Sequence, residues 1–281
     1  MNIQQIIELG NQEIIDNGYL WFNENVLTCK KEITSQTDID VVEEYFFLLG
    51  DVYELADAMN SAIDAYKMVL KVNENNVDAL LELANLYENF GEYELAKEFF
   101  TKALKNGADG DVIESIKELD IQIKEHTPPL YSHNDNKILI SEYLFKKEYE
   151  NALSLVGNDD FLLKARIYGA MGNNEMVLSI WDQISKNANL INFDIADSFF
   201  IPNKLKEDVK FWKIIETNIA HFTYDSIFWQ DDNLNSKYHD LPIIERRKLN
   251  IQKIIFQLEK NSEGLKRLKE EYPMWEISNI D

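Results

Sequence analysis

Four histidines (His126, His133, His221 and His239) and one cysteine (Cys29) are the side chains best suited to ligate a metal or attack a substrate. No two histidines stand four residues apart, so no helix presents the paired imidazoles of a metalloprotease-type site. His133 and Asp135 are close enough to share a metal, but a metal site needs further ligands that the neighbourhood does not offer. Cys29 has no histidine at a spacing that would activate its thiol, and reads as a small buried hydrophobe. There is no glycine-rich loop of phosphate-cradling spacing and no nucleophile elbow. With 50 Asp and Glu residues, no catalytic carboxylate pair stands out from the rest. The expectation is therefore a noncatalytic chain without metal or cofactor. One enzymatic alternative is kept, in which His221, Asp225 and His239 converge on a pocket within 187–240.

Charge narrows the partner classes. The 28 Lys and Arg against 50 Asp and Glu leave a net charge of −22. Such a surface repels nucleic acid and anionic lipid, and attracts basic protein or simply keeps the chain soluble. The short basic run Arg246, Arg247 and Lys248, near Lys253, follows Glu245 within a helical pattern and reads as a solvated face. No apolar stretch approaches the ~18 residues of a membrane span. Met1–Leu20 has no basic leader, and Glu8, Glu13 and Asp16 interrupt its apolar residues. A single cysteine permits no internal disulfide. Together these predict a cytoplasmic protein with no nucleic-acid or membrane partner. Oligomeric state is left open, because an exposed aromatic face could serve self-association.

The elements that would carry a binding surface are helical. Only 10 Gly and 5 Pro occur in 281 residues, which favours long helices. Residues 43–107 repeat with a period of 34. Phe46, Leu49, Gly50, Tyr53, Ala62 and Tyr66 map onto Leu80, Leu83, Ala84, Tyr87, Ala96 and Phe100. Within each copy the first four landmarks lie on one helical stripe. The small residues let paired helices approach while the aromatics fill the space beside them. Gly91 sits where the turn between two helices needs a permissive backbone, and Asp57 stands in that place in the first copy.

This pattern resembles the tetratricopeptide repeat. The resemblance implies an all-α fold of antiparallel helical hairpins stacked as an α-α superhelix, and a concave groove lined by the first helix of each hairpin. The groove-lining stripe would be Glu44, Phe47, Asp51 and Glu54, then Asp78, Leu81, Asn85 and Glu88. Both stripes read acid, apolar, polar, acid. The expected ligand is a protein or peptide, of basic character with a hydrophobic anchor. The carboxylate-binding variety of the family is not expected, because Phe47 and Leu81 stand where lysine would be needed. A narrower alternative is an acidic immunity-type or inhibitor protein masking a basic toxin or nuclease.

The rest of the chain is less regular. Residues 1–36 read as a helical cap. Residues 111–126 form an amphipathic helix with Val112, Ile113, Ile116, Leu119 and Ile123 on one side, ended by Thr127, Pro128 and Pro129. That break divides the chain into 1–127, which carries the two clear repeats at 43–76 and 77–110, and 130–281. In the second part, Phe161, Ala165, Tyr168, Gly172, Val177 and Trp181 keep the repeat spacing. Leu139, Ile140, Tyr143, Tyr149 and Ala152 give a half-match. Ile140 and Ala165 are 25 apart, so one hairpin must be short. Phe199, Phe200, Phe211, Trp212, Phe222, Tyr224, Phe228 and Trp229 form an aromatic cluster, expected to be core rather than docking surface. Adjacent pairs such as Phe211–Trp212 oppose that expectation, since neighbours on a helix cannot share one face.

Overall fold

The computed structural model describes residues 1–34, 36–132, 135–186, 197, 199–218 and 243–271. Every regular element among them is a helix. The chain divides into two compact units, Met1–Ile15 with Trp21–Val156, and Asp16–Leu20 with Gly157–Asp281.

Unit 1 opens with α1 (Ile3–Cys29), started by a reciprocal cap in which Gln5 N donates to Asn2 Oδ1 at 2.9 Å and Asn2 N donates to Gln5 Oε1 at 3.1 Å. A 3₁₀ turn, Lys30–Glu32, ends it. Two hairpins follow, α2 (Ile39–Leu55) with α3 (Met59–Val72), and α4 (Val77–Asn89) with α5 (Tyr93–Lys105). They are the two copies read from the 34-residue period. Phe46, Leu49, Ala62, Tyr66, Leu80, Leu83, Ala84, Ala96 and Phe100 are all buried. Gly50 is required: a Cβ there would lie within 3.0 Å of three ring atoms of Tyr66. The small landmark thus sets how closely α2 and α3 approach, and the aromatic landmark fills the resulting space.

Both hairpins turn in the same way. Asp57 and Gly91 take φ of +60° and +76°, and the next backbone N–H donates back to the landmark tyrosine, Ala58 to Tyr53 O and Glu92 to Tyr87 O, each at 2.8 Å. This is the helix-ending turn with one left-handed residue. Asp57 therefore does what Gly91 does, at the energetic cost of a Cβ in that conformation.

The helix α6 (Val112–Glu125) packs against α5, with Val112 and Leu119 buried. Ile113, expected on the same side, is 45% exposed. The stripe is narrower than its apolar residues suggest. The Thr127–Pro129 break does not separate the units, which divide between Val156 and Gly157 instead. After α6 the chain is held on the second hairpin: Pro129 packs against Gly91, Tyr93 Oη donates to Thr127 O at 2.8 Å, and Tyr131 N donates to Asn89 O at 2.8 Å. Lys137 then pairs with Asp57 at 3.2 Å, at the first hairpin's turn. Proline ended the helix, as expected, but the following residues bind back to the hairpins and so stay in their unit.

The helices α7 (Asn136–Phe145) and α8 (Tyr149–Ser154) form a third hairpin in unit 1, with α8 only 6 residues long. Phe145 packs edge-on against Phe22 and Tyr53 at 5.7 and 4.8 Å. The first residue before α3, Ala58, offers no capping side chain. Glu142 of α7 supplies one across 81 residues: its carboxylate accepts from Ser61 N at 3.0 Å and Ser61 Oγ at 2.7 Å. Lys147 takes φ of +59°, and Glu148 N donates to Tyr143 O at 2.8 Å, repeating the hairpin turn. Lys147 is exposed. Lys147→Gly should therefore raise unfolding stability by about 0.5–1 kcal/mol, read as a higher denaturant midpoint at unchanged slope.

Unit 2 holds the hairpin α9 (Phe161–Ala170) and α10 (Asn174–Lys186), then the helices Asn203–Lys206, Val209–Asn218, Ile243–Leu258 and Ser262–Glu271. The α9–α10 turn uses Gly172 at φ +70°, and the last two helices turn at Lys260, φ +53°. Asn173 N donates to Tyr168 O and Asn261 N to Phe256 O, each at 2.8 Å. The final pair is thus another hairpin of the same turn type, with Phe256 in the place of the tyrosine. Trp181, Phe211, Trp212, Ile215, Ile251 and Ile255 centre the core. Phe211 and Trp212 are both buried although adjacent. Their helix is covered on more than one side: Phe211 meets Trp181 edge-on at 5.8 Å, and Trp212 Nε1 donates to Lys206 O at 2.7 Å. Phe199 and Phe200 are buried against Tyr19. These four aromatics are core, as expected; Phe222, Tyr224, Phe228 and Trp229 lie outside the described residues.

Candidate peptide-binding groove

Helical spacing puts Glu44, Phe47, Asp51 and Glu54 on the side of α2 away from Phe46, Leu49 and Tyr53. Glu44, Asp78 and Asn85 are exposed, whereas Phe47, Asp51, Glu54, Leu81 and Glu88 are half-buried. The Phe47 ring packs on Tyr66 at 5.3 Å. Tyr66 Oη donates to Asp51 Oδ1 at 2.8 Å and to Glu54 Oε2 at 3.4 Å. Asn11 Nδ2 reaches Asp51 Oδ2 at 3.3 Å. On α4, Glu88 Oε1 accepts from Gln122 Nε2 of α6 at 3.0 Å.

The residue that completes the cluster is Glu82 of α4, which the repeat reading passed over. Its counterpart 34 residues earlier is Leu48, buried in the core, so the period offers no acidic partner there. The usable signal was the spacing of Asp78, Glu82 and Asn85, which places Glu82 on the groove stripe. Tyr131 was also missed. It is half-buried, its ring packs on Phe90 at 5.7 Å, and burial with the nearby charges of Asp57 and Glu54 raises the affinity of its hydroxyl for its proton.

Electrostatics set this cluster apart from an ordinary solvated face. Glu54 is pushed up to about 7, by burial first and then by the charges of Glu82 and Asp51. Asp51 is raised by burial, against the hydrogen bonds from Tyr66 and Asn11. Glu82 is raised by burial and by Asp51, against a bond from Asn85. Among the described residues no basic group acts on any of the three. The raised value of Glu54 has a definite sign for stability. Between its ordinary value of 4.5 and about 7, the folded chain holds a proton that the unfolded chain has lost. Stability therefore falls as pH rises through that window. Glu54→Gln should stabilise the protein at pH 8 by about 1–3 kcal/mol and change little at pH 5, measured by urea unfolding at both pH values. An equal effect at both would show that the carboxylate is not strained by its neighbours.

Of the other chemistry-bearing residues, Cys29, His126 and Asp135 have structural roles. Cys29 is buried, its Sγ faces Asn25 O at 3.1 Å, and burial raises its thiol. His126 ends α6 in a left-handed conformation, φ +51°. Asp135 caps α7, accepting from Lys137 N at 2.8 Å. His133, His221, Asp225 and His239 lie outside the described residues, as do the side chains of Arg246 and Arg247. Among the described residues no group of three or more His, Cys, Asp or Glu side chains is arranged to hold a metal ion. None of the described helices is long and apolar enough to cross a membrane.

Residues 77–106, the α4–α5 hairpin, match the family model described as tetratricopeptide repeat. No curated protein matches the chain. Among solved structures, one titled "Crystal structure of MamA protein" is similar over 85% of this chain and 98% of that chain, at 15% identity and a TM-score of 0.28.

Proposed function

We propose that this chain, which carries the tetratricopeptide repeat, is a noncatalytic interaction scaffold whose α2–α4 face binds a basic protein segment with an apolar anchor. The observation that carries this reading is the convergence of Asp51, Glu54 and Glu82, with no basic neighbour among the described residues. Three carboxylates held near each other and partly out of water repel one another in the free protein. A lysine or arginine arriving there relieves that repulsion as well as forming its own bonds. Phe47 and Leu81, half-buried beside the cluster, supply the apolar contact that charge alone lacks. A hydrophobic side chain of the partner would rest there and set the register.

The reading predicts a proton signature. A cation favours the ionised form of Glu54, so binding near pH 7 should release a fraction of a proton and strengthen as pH rises from 6 to 8. Titration calorimetry of a Lys/Arg-flanked leucine peptide, in two buffers of different ionisation enthalpy, measures that release. Glu54→Lys with Glu88→Lys should weaken binding at least tenfold, and added salt should weaken the parent. Affinity that ignores both the double substitution and salt would rule the acidic groove out.

A further inference from the structure

The opposite side of α2 carries a second cleft. Phe46, Leu49 and Tyr53 of α2 and Ala65 and Met68 of α3 floor a cleft of about 470 Å³. Lys30, Lys67 and Lys71 stand on it beside a single acid, Asp64, in a chain whose net charge is −22. None of the three has a carboxylate within ion-pair distance among the described residues. Their ammonium groups rest instead on soft partners: Lys30 lies 5.7 Å from the Phe46 ring centre, Lys67 lies 5.6 Å from that of Tyr87, and Lys71 Nζ is 3.4 Å from Met68 Sδ. Aromatic faces and a thioether hold an ammonium in place without neutralising it.

The cleft also has a direction. In the hairpin, Tyr53 and Ser61 are next to the turn, and Phe46, Met68 and Lys71 are at the far end. Lys30 and Lys71 belong to the far end, and Lys67 stands one helical turn nearer the turn, against Tyr87 of α4. At the turn end the Ser61 amide and hydroxyl are already taken by the Glu142 carboxylate, which repels a second acid. From Ser61 to Lys71 the helix rises ~15 Å, the length of about four or five extended residues. We infer that this α2–α3 cleft binds an acidic peptide segment in extended form, with its carboxylates at Lys30, Lys67 and Lys71 and an apolar side chain over Leu49 and Tyr53. Length favours a peptide over a compact anion, and the half-buried Tyr53 and Met68 add apolar contact to charge pairs that are weak by themselves.

Fluorescein-labelled pentapeptides with two adjacent Asp or Glu residues followed by Leu, Ile, Phe or Met test this by anisotropy with the full-length chain. At least one should bind at low salt and be released as salt rises. Lys30→Gln/Lys67→Gln/Lys71→Gln should weaken it about tenfold or more. All three lysines are exposed, so circular dichroism should show the helices intact. Glu54→Gln/Glu88→Gln, in the α2–α4 groove and outside this cleft, should leave the affinity unchanged. The inference is overturned if no peptide binds at millimolar concentration, if the triple variant binds like the parent, or if the Glu54/Glu88 variant loses binding. Displacement by octanoate as effective as by unlabelled peptide would also overturn it, because the occupant would then be a small amphiphile.

Discussion

Asp197→Ala is expected to cost about 3–5 kcal/mol of stability, a large part of what holds a domain of this size. Arg166 Nε meets Asp197 Oδ1 at 2.5 Å, and the two side chains are 1% and 4% exposed. Removing the carboxylate leaves a guanidinium, which cannot deprotonate, without this partner and far from water. The pair itself need not be a net gain over an apolar core, since both charges were desolvated to make it. Replacing both members, Arg166→Met with Asp197→Leu, should therefore recover much of the loss. A double-mutant cycle under urea, followed by tryptophan fluorescence, separates the two effects. Trp181 and Trp212 are core residues of unit 2 and report on its packing. A loss below about 1 kcal/mol for Asp197→Ala would mean that water reaches the guanidinium.

Gly169→Ala is expected to be nearly as damaging, at about 3 kcal/mol or more. A Cβ at this position of α9 would overlap the carbonyl oxygen of Phe200. The obstacle is backbone, so no rotamer change relieves it; the Phe199–Pro202 segment would have to move off the helix. That segment buries Phe199, Phe200 and Ile201, so moving it costs apolar burial as well. Native-state hydrogen exchange should show faster exchange concentrated in unit 2. The contrasting control is Gly157→Ala, where an added Cβ meets nothing within 4 Å; it should be near neutral. Equal effects at the two glycines would mean that the close approach at Gly169 is not a constraint.

The two clear repeats were legible because their signals are local. Phe46, Leu49 and Gly50 lie within one helical turn or so of each other, and the same sizes return 34 residues later, so pattern alone identifies the hairpins and their buried faces. The groove stripe was partly legible for the same reason. Glu44 through Glu54 follow from helical spacing, but Glu82 does not follow from the period, because its counterpart is the buried Leu48. The period of 34 put Asp57 at a turn, but the left-handed turns at Lys147 and Lys260 were not legible. Gly at that position announces itself, whereas any other residue can occupy it when the packed helices on both sides compensate the strain.

Composition and periodicity were enough to establish a helical chain of repeat hairpins, with a net charge of −22 and no recognisable catalytic motif in its sequence. Both are properties of residues close in sequence, and helix geometry converts them directly into faces. What depends on residues far apart had to come from the folded chain. Glu142 caps α3 from 81 residues away. Pro129, Tyr131 and Lys137 keep the chain on the hairpins beyond the proline break. Arg166 is buried because Asp197 meets it. The charge state of Glu54 belongs to the same class: its carboxylate is ordinary in sequence, and only the burial and neighbours brought by three helices raise it to about 7. Each depends on the energy of one specific encounter, which no spacing along the chain encodes.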